Sequence, residues 1–303
     1  MEKFEIKGID GNKINVYKWV PKGEVKGVVQ IFHGMAEHAL RYKKFAIFLN
    51  DKGYAVYAND HRGHGNSVDN ISELGRIGEN GFYGIVEDEK ILMEKIKKEN
   101  LGLPIIILGH SMGSFIAQEY ITKYGNEISG VILSGTAMKS GMDLKLALIL
   151  AKLQMKLFGR YKPAKFISNL SFGSNNKKIQ NAKTSNDWLS RDEKEVDKYN
   201  KDKYCGTTFP IEFYYEFFKG LSKLYEKEKL NQIPLELPIY IFSGDADPVG
   251  NYGKSTKDLY NLYEKLGLKN LEIKLYSGGR HEMLNEKNRM KVYENVYNWI
   301  REV

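Results

Sequence analysis

A short apolar run, Ile105-Ile106-Ile107-Leu108, leads directly into Gly109-His110-Ser111-Met112-Gly113 and then into Ser114–Tyr124, which has helical character. Strand, sharp turn and helix follow one another without slack, and this order constrains the chain more than any other feature. A serine at the tip of such a turn needs a strained backbone, and small neighbours at 109 and 113 let strand and helix pass close on either side. The hydroxyl of Ser111 then stands clear of both elements, where a nucleophile would be placed. A bare Gly-x-Ser-x-Gly also arises as an ordinary glycine-rich turn, so the reading depends on partners elsewhere in the chain.

The surrounding pattern supplies a sheet for that turn. Phe4 and Ile6, then Ile14, Val16, Tyr17 and Trp19, flank the turn signal Asp10-Gly11-Asn12 and predict an opening antiparallel hairpin. Val28–Phe32 is apolar nearly throughout, which suits a central strand covered on both faces. His38 to Lys52 places Phe45, Ala46, Phe48 and Leu49 at helical spacing, stops at Gly53, and is followed by the strand Tyr54–Ala58. After the glycine loop Asp60–Gly65, a helix over Gly81–Asn100 precedes the Ser111 stretch. Further strands are Gly130–Ser134, Pro238–Phe242 and Leu271–Tyr276, with helices over Ser255–Leu266 and Arg289–Arg301. Such alternation predicts an α/β fold with a mostly parallel, doubly wound sheet and ligands at the carboxyl ends of its strands.

From about Gly141 to about Asn231 no parallel-strand run appears. Helical patterns there are broken by polar stretches such as Ser168-Asn169, Ser174-Asn175-Asn176 and Thr207-Thr208. The expected organisation is a core made of residues 1–140 and 232–303, interrupted by a helical insertion over 141–231.

Composition excludes several classes. Hydrophobic residues are 42% and charged residues 28% of the 303, ordinary for a globular chain. No apolar run approaches the roughly 20 residues that span a bilayer. Glu2, Lys3, Glu5 and Lys7 place charges where a signal peptide would have its apolar region, so a cytoplasmic location is expected. The single cysteine, Cys205, permits no intrachain disulfide and no thiolate cluster for zinc, and reads as a small buried hydrophobe. The formal net charge of +8 is carried by scattered lysines, with no helix-turn-helix, RNP or zinc-finger pattern to focus it, so nucleic acid is not an expected partner.

A serine hydroxyl needs a base to take its proton and a third group to orient that base. Of the six histidines, His281 follows Ser277-Gly278-Gly279-Arg280 directly after the last strand, on a loop at the same sheet edge as Ser111. For the orienting carboxylate the chain offers Asp245 and Asp247, both just after a strand, in the order Ser…Asp…His. Spacing does not choose between them, although either could serve simply as an Asx-type turn cap, the reading preferred for Asp245. An oxyanion needs two preorganised N–H donors. The backbone of Met112, at a helix N-terminus, is one, and Met35, in the loop after Val28–Phe32, is the favoured second.

With these residues placed, the chain resembles the α/β-hydrolase-fold serine hydrolases, specifically the monoacylglycerol lipase and lysophospholipase branch close to the serine aminopeptidase S33-like domains. The resemblance covers nearly the whole chain. It rests on His33-Gly34-Met35-Ala36-Glu37-His38, Asp60-His61-Arg62-Gly63-His64-Gly65, Gly109-His110-Ser111-Met112-Gly113-Ser114, Gly244-Asp245-Ala246-Asp247 and Gly278-Gly279-Arg280-His281-Glu282. The family's Gly-x-x-Asp implies Asp247 as the acid, and its histidine matches His281. The resemblance further implies two-step acyl transfer on a small-molecule acyl ester, such as a monoacylglycerol or lysophospholipid, without metal or cofactor. It implies too that the insertion after the sixth strand forms a lid.

Within that lid, Asp143–Phe158 mixes many leucines with Lys145, Lys152 and Lys156. This composition suits transient contact with a lipid surface, or a pocket wall with its lysines in water, the second being preferred. Phe209–Leu224 concentrates aromatics that could wall an acyl chain or pack a core. Two rivals share the sequence. A peptidase or amidase would want an acidic group to hold a free amine, for which Glu193, Glu195 and Glu212 are available, whereas a non-catalytic binding protein would usually have lost Ser111, His281 or the acid.

Overall fold

The computed structural model describes all of residues 1–303. Its strands are β1 (Glu2–Lys7), β2 (Lys13–Trp19), β3 (Gly27–Phe32), β4 (Tyr54–Asn59), β5 (Ile105–His110), β6 (Gly130–Ser134), β7 (Ile239–Gly244) and β8 (Leu271–Tyr276). They form one sheet in the order β1-β2-β4-β3-β5-β6-β7-β8. The opening hairpin is antiparallel, β2 joins β4 antiparallel, and every later pairing is parallel. The helices are α1 (Lys43–Asp51), α2 (Gly81–Glu99), α3 (Met112–Tyr124), α4 (Met142–Phe158), α5 (Lys165–Phe172), α6 (Glu193–Lys201), α7 (Ile211–Lys223), α8 (Lys227–Leu230), α9 (Lys254–Lys265) and α10 (Arg289–Ile300).

Because side chains alternate along a strand, each central strand feeds two cores. Ile106, Leu108, Ile132, Tyr240 and Phe242 pack with Phe45 and Leu49 of α1 and Val296 and Trp299 of α10. Their neighbours Ile105, Ile107, Val131, Leu133, Ile239 and Ile241 pack on the other face with Val86 and Leu92 of α2, Ile116 and Tyr120 of α3, and Leu259 and Tyr263 of α9. Continuous apolar strands are therefore required, and the sequence supplies them.

Helices α4 to α8 all lie between β6 and β7, and this stretch adds no strand to the sheet. It joins the second core through Ala151, Ile167, Phe213 and Tyr214. One expected helix differs from the prediction. The stretch His38 to Lys52 divides into a tight 3₁₀ turn over Ala39–Tyr42, whose first N–H is capped by the Asp60 carboxylate at 2.9 Å, and then α1, because Tyr42 leaves the helical region at φ −89°, ψ 0°. The helix after Ser111 begins two residues earlier than expected, at Met112.

Candidate active site

The turn between β5 and α3 imposes the geometry that its sequence suggests. Ser111 has φ 51° and ψ −116°, a conformation costly for an L-residue, and its N–H donates to Ser134 O at 2.9 Å. A Cβ on Gly113 would sit 2.0 Å from Phe32 O, and one on Gly109 would sit 2.4 Å from Gly113 O. Only glycine permits that crossing of strand, turn and helix. Ser111 consequently stands at the carboxyl edge of the sheet.

His281 lies on the loop after β8 and is almost wholly buried. Its Nδ1 is 2.9 Å from Asp247 Oδ2. The Asp247 carboxylate also accepts from Ser243 Oγ at 2.9 Å and from the Val249 N–H at 2.9 Å. Burial works against ionisation of Asp247, but His281 and these two donors outweigh it and hold the carboxyl below its usual range. Burial likewise disfavours the imidazolium of His281, and Asp247 overrides it, so the ring titrates above the ordinary histidine value. Asp245 behaves differently. It is exposed, and its Oδ1 accepts from the Gly278 N–H at 2.7 Å, tying two loops together. Ser111 and His281 are not hydrogen-bonded to each other in this structure, although both line one cavity.

The loop after β3 approaches Ser111 so closely that a Cβ on Gly34 would lie 3.3 Å from the serine Cβ. Met35 and Met112 flank Ser111 in the wall of a second cavity. Ala36 is held at φ 53°, and its carbonyl accepts from the Tyr199 hydroxyl and from the Gly206 N–H, both at 3.0 Å and both from the insertion. Glu37 accepts from the Gly34 N–H at 2.6 Å and from Tyr42 Oη at 2.8 Å. Arg41 bonds Glu37 at 2.6 Å and grips Glu282 with two bonds of 2.6 Å, linking this loop to the residue after His281. Burial would raise the Glu282 carboxyl, but Arg41 holds it at about 2.

His110 lies with its ring centroid 4.8 Å from that of His281. Burial first, and then the charge of His281, lowers it to about 4, so it stays neutral beside the other ring.

Two cavities of unlike character meet at Ser111, sharing Met35, Ser111, Phe172 and Tyr214. The smaller, about 400 Å³, is edged by His281, Ser168, Asn169, Asn176, Thr207 and Thr208. The larger, about 1250 Å³, is walled by apolar side chains including Phe115, Leu144, Leu150, Phe217, Phe218 and Leu221. Polar stretches that read in sequence as breaks between helices thus line a pocket. Of the aromatics on α7, Tyr214, Phe217 and Phe218 line a cavity, whereas Phe213 packs on Phe209 in the core. Glu193, Glu195 and Glu212 line neither cavity and are paired with Lys183, Lys44 and Arg160.

Sequence reasoning missed Arg41, whose partner Glu282 lies 241 positions away, and Trp188 and Tyr199, which sit beside the site from within the insertion. No local periodicity marks them. Cys205 is buried, as expected.

A serine elbow, an Asp-His pair and a glycine loop around one point of a mostly parallel sheet define the serine hydrolases of the α/β-hydrolase class. Residues 23–288 match the family described as serine aminopeptidase, S33, and the chain belongs to that family. It is 29% identical over 297 residues to a monoacylglycerol lipase of Mycolicibacterium smegmatis, covering 97% of this chain and 94% of that one. To the monoglyceride lipase of Homo sapiens it is 26% identical, covering 96% of this chain and 88% of the relative. Among solved structures, a highly thermostable carboxyl esterase from Bacillus coagulans in complex with glycerol superposes with TM-score 0.87 at 26% identity, covering 100% of this chain and 98% of the other.

Proposed function

We propose that this protein hydrolyses carboxylic esters of single-chain lipids, a monoacylglycerol or lysophospholipid, through Ser111, His281 and Asp247. The observation that carries the reading is the placement of Ser111 where a polar cavity and a larger, mainly apolar chamber meet. An ester with a hydrophilic alcohol and a fatty acyl chain is the molecule with those two ends. Relatives named as monoacylglycerol lipases support it.

In this mechanism the Ser111 hydroxyl rotates toward His281 Nε2, gives up its proton there and attacks the ester carbonyl. The oxyanion of the tetrahedral intermediate takes the N–H groups of Met35 and Met112, the latter at the positive end of α3. Collapse breaks the ester C–O bond, and the leaving alcohol takes the proton from His281. Water, deprotonated by the same ring, then releases the acid and regenerates Ser111. Asp247 keeps Nδ1–H of His281 oriented and offsets the imidazolium charge. No step calls for a metal or cofactor.

Residues 141–231 act in this reading as the cap that walls both substrate arms. The inner side of α4 faces the chamber through Leu144, Leu146, Ala147 and Leu150, while its outer side exposes Ile149, Leu153 and Leu157 among Lys145, Lys152 and Lys156. An exposed apolar stripe with a cationic rim suits transient contact with an anionic lipid surface, which would deliver the substrate. No helix is long and apolar enough to cross a membrane.

Amide cleavage at a free amino terminus is the weaker reading. The carboxylates edging the polar cavity, Glu37 and Glu282, are both engaged by Arg41, leaving no anion there for an ammonium group. The test is an ester series of graded acyl length run beside an aminoacyl nitroanilide. Long monoacyl esters are expected to be preferred, and preference for the nitroanilide would overturn the assignment. Ser111→Ala should lower ester turnover by at least about 10⁴-fold and abolish fluorophosphonate labelling.

A further inference from the structure

Lysines that look scattered in the sequence collect at one place in the fold. A cleft of about 590 Å³ opens along the join between core and insertion, with Leu40 as its one apolar lining residue. It shares no lining residue with either cavity at Ser111. Lys43 and Lys44, at the start of α1, line it from the core, and Lys198 and Lys201, at the end of α6, line it from the insertion.

Two carboxylates answer these four ammonium groups. Glu195 accepts from Lys44 at 2.5 Å and from Lys198 at 2.9 Å on the same oxygen, Oε1, so one charge draws together a lysine from each wall. Asp202 is bonded to His38 Nε2 at 2.8 Å. Arg41, also in the wall, is neutralised by Glu37 and Glu282 behind it. Lys43 and Lys201 form no salt bridge, and both are exposed in the cleft. The helix dipoles account for one pair of lysines only. Lys198 and Lys201 sit in the last turn of α6, where cations are favoured, whereas Lys43 and Lys44 open α1, where cations are disfavoured and no acid stands beside them. His38, Asp202 and Cys205 lie close enough together to suggest a metal ion. The lysines oppose a further cation there, and burial pushes the Cys205 thiol up, away from the thiolate that a metal needs.

Like charges gathered in a recess repel one another and raise the local concentration of anions. We infer that this cleft binds the phosphoryl group of a small soluble phosphate, held by Lys43 and Lys201 and shared by Lys44 and Lys198. A phosphate monoester carries about −1.5 to −2 charge at neutral pH, which matches four lysines set against two carboxylates, and its three oxygens accept from several ammonium groups at once. The volume of the cleft leaves room for an organic group on the ester. Its two walls enclose a free molecule better than they meet the headgroups of a flat bilayer. Because one wall belongs to the core and the other to the insertion, the bound phosphate ties α6 to α1. The site does not depend on the ester hydrolysis proposed above.

Calorimetric titration of the full chain at low salt with pyrophosphate, and with acetate as a monoanion control, tests the site. Pyrophosphate should bind and acetate should not. Lys43→Gln combined with Lys201→Gln should weaken pyrophosphate at least about tenfold, whereas Lys145→Gln combined with Lys152→Gln, the same change of charge placed on α4, should stay within about twofold. Glu195→Gln should tighten pyrophosphate about threefold, because it frees Lys44 and Lys198, and this gain keeps the test open should the double variant fold poorly. Saturating pyrophosphate should raise the Tm of the unmodified chain and leave that of the Lys43→Gln, Lys201→Gln protein unmoved. Equal weakening by the two lysine pairs, or no pyrophosphate binding at all, would overturn the site. Co-sedimentation with phosphatidylglycerol vesicles should be the same with and without Lys43 and Lys201. Loss of vesicle binding in that variant would assign these lysines to a membrane surface and overturn the soluble ligand.

Discussion

Residues 187–206 and residues 142–172 both come from the insertion between β6 and β7, and they are held by different forces. The first stretch is stitched to the core by polar bonds. Arg280 donates to the carbonyls of Asp187 and Ser190 at 2.6 and 3.0 Å, the His281 and Glu282 N–H groups donate to Trp188 O and Leu189 O at 3.3 and 2.7 Å, and Arg191 bonds Glu286 at 3.0 Å. The second stretch, α4 and α5, relies on apolar contact and leaves Leu146, Ile149, Leu153, Leu157, Phe166 and Leu170 facing solvent. Directional bonds fix positions to a fraction of an ångström, whereas apolar contact tolerates sliding. The bonded stretch therefore suits the setting of His281 and the Ala36 loop, and the apolar one suits substrates of variable length.

The largest expected effect marks what the insertion does not supply. Asp247→Asn should lower kcat on a nitrophenyl ester by about 10³- to 10⁴-fold, because the wrong tautomer of His281 is then favoured. Asp245→Asn, which removes a charge but keeps an oxygen to accept from the Gly278 N–H, should stay within about tenfold and cost at most roughly 1 kcal/mol of stability. Exchange of those outcomes would exchange the two roles.

That pair also marks the limit of what the sequence makes legible. The Ser111 elbow is a local object, so five residues between a strand and a helix were enough to place it. Asp245 and Asp247 both follow β7, and only the path of the chain brings one to His281 and the other to Gly278. Asn169, Asn176 and Thr207 look like helix breakers until the fold turns them toward a cavity. The alternation of strands and helices revealed the sheet because the central strands β3 to β7 are covered on both faces, a property written in every residue of each run. Arg41 carries no such mark toward Glu282, since that partner is set by loop closure across most of the chain.

The next tests separate the two parts of the insertion. Leu150→Trp narrows the apolar chamber and should cut hydrolysis of decanoyl esters about tenfold while sparing acetyl esters, measured as kcat/KM along an acyl series. Replacing Ile149, Leu153 and Leu157 together with serine should weaken co-sedimentation with anionic vesicles about tenfold and leave soluble-ester turnover unchanged. In the bonded stretch, Arg280→Ala should lower kcat about fivefold and Tm by about 2–4 °C. If the apolar variants lowered acetyl-ester turnover as much as Arg280→Ala does, the division of labour would not hold.

The smallest effect concerns pH. Because Asp247 raises His281 above the ordinary histidine value, the acid limb of kcat/KM should lie above pH 6.5, with activity lost as pH falls through it. Stability runs the other way. A raised histidine contributes to folding fully below its unfolded value, and that contribution disappears as pH rises through the folded one. Activity and the stabilising charge of His281 thus occupy opposite sides of one titration.

The carbonyl of Ala36, held by Tyr199 and Gly206, carries a consequence for protein engineering. Residues 141–231 look like an exchangeable module with two entry points, and a chimera that swapped them for another specificity would keep the sheet and the serine elbow intact. It would also remove both hydrogen bonds that pin a left-handed alanine one position beyond Met35. Grafts designed only for pocket shape should then bind the new ester and turn it over slowly, and restoring a tyrosine at the position of Tyr199 should recover rate without altering which ester is chosen.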